Sequence, residues 1–206
     1  MKHLKMLGLA AVAAAALMAC EAGTASATVI CKNNLSTTAC SEKYPVGTKL
    51  TTSLKSGTTV ALETTGGTTL DTCTGSVLES TIQNAGSATS TAGGNTSSLT
   101  WTGCTFSTQT ISNGSGETHW ISGTDNGTLT TSGTEVTVNT GFFGSCTYGT
   151  GTGTDMGTIV GGNPAILTIN ARIPLTKNES GLCPAETRLT AEYAVTTPSP
   201  LWFASS

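Results

Sequence analysis

Beyond its apolar leader, this 206-residue chain carries a single imidazole, His119, within Glu117-Thr118-His119-Trp120. On a strand, residues two apart share a face, so Glu117 and His119 project together while Trp120 takes the opposite side. Such a pair beside an aromatic platform has the parts for acid–base chemistry on a sugar polymer, but no nucleophile motif accompanies it. G-x-S-x-G is absent, and its nearest match, Asn113-Gly114-Ser115-Gly116, reads as a polar turn. Glu117 and His119 therefore read as a wet polar pair, and Trp120 as a core residue.

Other chemistry fares no better. Glu63, Glu79, Glu117, Glu135 and Asp155 supply carboxylates, yet glycoside hydrolysis depends on their separation in space, which spacing along the chain does not give. They stand alone rather than in the D-x-D grouping of a calcium loop. The run 149–154, GTGTGT, has neither the lysine nor the apolar helix that follows a phosphate-binding loop. No C-x-x-C occurs, and one histidine cannot complete a zinc site. The expectation is no catalytic residue, no metal and no cofactor.

Cysteine is the one chemistry the chain offers in quantity. Besides Cys20 there are Cys31, Cys40, Cys73, Cys104, Cys146 and Cys183, an even number suited to disulfides in an oxidising compartment. Pairing sequence neighbours is the simplest arrangement: 31–40, 73–104 and 146–183. Loop-closure entropy gives the first about 2.5 kcal/mol and each of the others somewhat under about 4 kcal/mol.

Export follows from the first residues. A basic MKHLK segment precedes the apolar run 6–19, which has signal-peptide length and is short for a membrane span. We expect a signal helix over 1–27, cut after Ala25-Ser26-Ala27, and a single domain over 28–206 without a transmembrane segment. The competing reading takes Leu17-Met18-Ala19-Cys20 as a lipobox, with Cys20 lipidated. Net charge is only -3, and the basic residues after the leader, such as Lys43, Lys49 and Arg188, are never adjacent, which argues against nucleic acid as a partner.

The elements that must position these residues are strands. Only 10% of the chain is charged, glycine numbers 25, and threonine is abundant, a composition of pleated segments and turns. Ala165, Leu167, Ile169, Ala171 and Ile173 alternate with polar residues, as do Leu189, Ala191, Tyr193 and Val195. Segment 74–82 reads as a strand, Ser56-Gly57 and Ser132-Gly133 as turns, and 84–97 as the longest loop, because it holds almost nothing apolar. After Pro198 and Pro200, the tail Leu201-Trp202-Phe203 packs back or forms an edge strand. Thr-x-Thr repeats share no short period, which argues against a solenoid. Some ten to twelve strands at this spacing predict an all-β domain, an immunoglobulin-like antiparallel β-sandwich stapled by disulfides.

The leader KMLGLAAVAAAALMA, the following GTASAT, the SLKSGT segment, the paired cysteines and the YAVTTP strand resemble a group of secreted, cysteine-paired all-β proteins of high-GC Gram-positive bacteria. The resemblance implies export and no enzymatic activity. The reading is a noncatalytic secreted or cell-surface domain for structure or binding. Its alternatives are a glycan-binding or glycan-hydrolysing protein, with Trp101 or Trp120 stacking on sugar, and an inhibitor presenting 84–97. The exported chain should begin at Thr28, which intact mass measures. A diacylated Cys20, with membrane retention abolished by Cys20→Ser, would overturn this.

Overall fold

A computed structural model describes residues 27–34 and 40–206; residues 1–26 of the expected signal helix, with Cys20 and all of the cleavage motif except Ala27, lie outside the described residues. Among these there are twelve strands and no helix: β1 (Val29–Cys31), β2 (Lys49–Leu54), β3 (Val60–Thr64), β4 (Thr69–Ser87), β5 (Ser90–Cys104), β6 (Ser107–Trp120), β7 (Gly127–Thr140), β8 (Gly144–Gly149), β9 (Thr154–Val160), β10 (Ala165–Asn178), β11 (Glu186–Thr197) and β12 (Trp202–Ala204). All pairings are antiparallel.

The strands do not divide into the two sheets of the expected immunoglobulin-like sandwich. They close into an eight-stave barrel in which each stave pairs with the next along the chain. β2 and β3 run end to end, separated by the turn at Ser56-Gly57, and together lie between β4 and β11. β8 and β9 likewise share one stave between β7 and β10. The ring is closed where β11 pairs with the first stave, as Leu189 opposite Leu62 and Tyr193 opposite Leu54. The alternation in β10 and β11 is as expected: Ala165, Leu167, Ile169, Ala171, Ile173, Leu189, Ala191, Tyr193 and Val195 are all buried. What covers them differs. In a sandwich it is a facing sheet; here it is the far side of the same sheet.

Three local assignments change with the architecture. Residues 84–97 are not a loop but parts of β4 and β5, paired from Cys73 opposite Cys104 down to Ser87 opposite Ser90. Asn113–Gly116 runs within β6, and Ser132-Gly133 within β7, so neither is a hairpin turn. Glycine permits this by close approach. A Cβ on Gly94 would strike the carbonyl of Thr81, and one on Gly114 (φ +65°) would strike that of Ser132.

The lower end, where β4 turns into β5, is plugged by a two-stranded ribbon of β1 and β12. Ile30 and Phe203 pair across the ribbon and point into the barrel core, with Leu201 beside them. Val29, Cys31 and Ala204 face the other way and form a small second core with Cys40 and Trp202. The prolines at 198 and 200 end β11 and deliver this tail, and the carbonyl of Pro200 accepts a hydrogen bond from the Tyr44 hydroxyl at 2.6 Å. Because the plug fills the lower lumen, the wall there consists of small residues such as Thr52, Ser80, Gly93, Gly94 and Gly116.

The three disulfides join sequence neighbours as expected: Cys31 to Cys40, Cys73 to Cys104 and Cys146 to Cys183. The first braces the plug, and the other two lie toward the upper end. Outward positions of β10 and β11 carry Thr168, Asn170, Arg172, Arg188 and Glu192, so this wall faces water, the reverse of a lipid-facing barrel. No helix among the described residues is long and apolar enough to cross a membrane. Phe203→Ala should cost about 3–5 kcal/mol of stability. Phe142, 79% exposed at the upper rim, should cost within about 0.5 kcal/mol when truncated. Denaturant titration of both variants checks the plug.

Candidate functional site

The upper lumen is where side chains leave space. A cavity of about 70 Å³ is walled mainly by Leu99, Trp101, Leu129, Tyr148, Met156 and Leu167. A second, of about 110 Å³, lies below it against Ile30, Ile82, Ile159, Leu201 and Phe203. The two share Leu78, Thr96, Leu129, Thr131 and Leu167, so they are neighbouring compartments of one lumen. No charged side chain lines either.

Three of the hydroxyl groups on this wall meet different fates. Tyr193 donates to Ser76 Oγ at 3.0 Å, deep in the core. Tyr148 is 0% exposed, and its hydroxyl has no hydrogen-bond partner. The Oγ1 of Thr131, also buried, has none either. Burial pushes the phenols of Tyr148 and Tyr193 up to about 12, the bond to Ser76 partly offsetting this for Tyr193, and it raises Tyr44 as well.

Beside the upper cavity the wall is loosely joined. β5 and β6 share ladder pairs only between residues 92–95 and 115–118. Above that, side chains bridge the seam: Trp101 Nε1 donates to Thr110 Oγ1 at 2.8 Å, and Asn113 Nδ2 donates to the Ser97 carbonyl at 3.0 Å. Thr96, Leu99, Trp101 and Asn113 all line the cavity, which places it directly behind this seam.

The residues singled out from the sequence lie elsewhere. Glu117 is exposed on the outer face, within 3.5 Å of Thr91 Oγ1, and His119 lies 3.5 Å from Thr130 Oγ1. No ion pair joins them among the described residues. Trp120 is only half-buried, packing against the core with its Nε1 donating to the Thr124 carbonyl at 2.6 Å. Trp101, on β5, is bonded to Thr110 near the start of β6, whereas Trp120 ends β6, so the two do not form one platform. An outer groove along β10 and β11, of about 320 Å³, holds Asn170, Arg188 and Glu192 but no aromatic side chain. Of the five carboxylates, Glu63, Glu79, Glu117, Glu135 and Asp155, each sits on a different strand.

Sequence reasoning passed over Asp71. It is fully buried, and its carboxylate accepts from the amides of Thr72 (2.8 Å) and Phe106 (2.9 Å) and from the Thr108 hydroxyl (2.6 Å). It ties the turn after β5 back to β4. The signal was a lone acid between Leu70 and Cys73, in a segment otherwise suited to burial. Asp71 also lies with Cys73 and Cys104 in one cluster, but those sulfurs are joined to each other and offer no thiolate to a metal.

Fold and site together define a class: an up-and-down, eight-stave β-barrel, plugged at one end, with a charge-free apolar lumen. No protein-family model matches the chain, and neither the curated proteins nor the solved structures include a significant match.

The buried phenols have a pH consequence. Tyr148 and Tyr193 stay neutral in the folded barrel to about pH 12, whereas an unfolded phenol ionises near about 10. The stability they contribute is complete below about pH 10 and drains away as pH rises toward about 12. Phenolate absorbance should therefore stay low at pH 10.5 and rise together with the loss of strand circular dichroism. Normal titration in a folded barrel would contradict the burial.

Proposed function

We propose that this protein is a noncatalytic exported barrel that takes a small apolar molecule into its lumen. One observation carries the reading: the closed sheet leaves two adjacent, charge-free compartments in its own core. Native interiors ordinarily pack to crystal-like density with few voids larger than water. Apolar cavities near about 150 Å³ stay dry and take up benzene. The compartments are well under the roughly 300 Å³ of drug-sized pockets, so a single ring or a short chain is the fitting size.

Export is supported by the leader, by the resemblance to secreted cysteine-paired proteins and by three disulfides, which suit an oxidising compartment. The noncatalytic part is supported by the geometry at Glu117 and His119, which are not ion-paired among the described residues and each have only a threonine hydroxyl at 3.5 Å. Isothermal titration with benzene and n-hexane should show saturable uptake with a negative heat-capacity change, and a melting temperature that rises with probe concentration. Neither probe binding would sink the luminal reading. Polysaccharide hydrolysis abolished by His119→Ala in a folded variant would sink the noncatalytic one.

A further inference from the structure

The luminal reading leaves open what the molecule is, and the polar groups in the wall narrow it. An unpartnered buried hydroxyl forfeits its hydrogen bonds with water, typically about 1–3 kcal/mol per group. The upper lumen holds two such groups, Tyr148 OH and Thr131 Oγ1, in a wall otherwise mostly carbon. Comparable groups in the same barrel are satisfied: on this very wall Tyr193 has Ser76 and the indole of Trp101 has Thr110, and Tyr44 has the Pro200 carbonyl. Among the described residues, the two buried side-chain groups left without a partner both line the upper cavity. No lysine, arginine, histidine, aspartate or glutamate lines the lumen to balance an ionised ligand. Desolvating an unpaired carboxylate or ammonium there would far exceed what one or two hydroxyls return.

Resting on the luminal reading, we infer that the ligand is a neutral molecule, a single ring or short chain with one hydroxyl or carbonyl, held by Tyr148 and Thr131. Tyr148 remains a neutral phenol and can donate to a carbonyl or hydroxyl oxygen. Thr131 can donate or accept, and it borders both compartments, so a polar group beside it allows the apolar remainder to extend upward to Met156 or downward to Ile159. The size is that of a small alcohol, phenol or ketone.

The test compares matched probes rather than absolute affinities, because hexane and hexanol differ in their cost of leaving water. Titrations of 1-hexanol, n-hexane and hexanoate at pH 8 are run on the wild-type chain, Tyr148→Phe and Thr131→Val. Tyr148→Phe removes only an unpartnered hydroxyl, so its melting temperature should hold or rise. It should weaken 1-hexanol about tenfold and leave n-hexane within about twofold. Thr131→Val, near-isosteric, should act in the same direction. Hexanoate, ionised at this pH, should bind at least about a hundredfold more weakly than 1-hexanol. Hexanol affinity unchanged in both variants, or hexanoate binding as well as hexanol, overturns the polar anchor while the luminal reading stands on n-hexane. Uptake of none of the probes by the wild-type chain overturns both.

Discussion

Everything in this molecule depends on one ladder, the pairing of β11 with the stave made by β2 and β3. Without it the meander would be an open, curling sheet with two unpaired edges and an uncovered apolar face. With it, every inward residue meets another across the lumen, and Leu62, Tyr148, Tyr193 and Leu189 become a core without a second sheet. The ladder joins Leu54 to Tyr193, far apart in the chain, so its loop-closure entropy is the largest among the staves of the barrel. None of the disulfides spans it. Cys73–Cys104 pins neighbouring staves, Cys146–Cys183 ties β8 to the connection between β10 and β11, and Cys31–Cys40 braces the plug. Closure therefore rests on hydrogen bonds and burial, while the bridges restrain local pieces of the unfolded chain.

Closing a barrel raises a filling problem, and the two halves of the lumen solve it differently. Below, the ribbon of β1 and β12 inserts Ile30, Phe203 and Leu201, and the wall recedes to glycine, serine and threonine to admit them. Above, the wall supplies its own filling with Leu99, Trp101, Met156 and Tyr148, and the filling is incomplete. Leaving both volume and two hydroxyls unmatched lowers stability, and such departures from good packing concentrate where a protein has a task. The seam between β5 and β6 lies beside the same region, held by the side chains of Trp101 and Asn113 instead of a ladder. Loose packing, unmet polarity and a weak wall coincide in the upper half.

Some of this was legible in the residues. Period-two alternation identified β10 and β11 and the face each buries, and neighbour pairing of six cysteines identified the bridges. Both signals are local, since alternation follows from the pleat and short cysteine spacings follow from hairpins. The misreadings have one physical cause. Residues 84–97 looked like loop because their inward positions are small, yet they are small because Phe203, more than a hundred residues later, occupies the space. Asp71 was missed because its amide and hydroxyl partners come from the turn across the hairpin, and Tyr148 because an unpartnered hydroxyl is defined only by its surroundings.

The sequence by itself determined the identity and inward face of the strongly alternating strands and the absence of any local catalytic motif, and it made neighbour pairing the simplest of the possible disulfide arrangements. These depend on the geometry of a few consecutive residues. Only the tertiary structure decided whether the apolar faces meet another sheet or their own, where Glu117 and His119 point, and that a lumen exists. Alternation says that a face must be covered and is silent about what covers it; the closing ladder, the plug and the cavity are all answers to that second question.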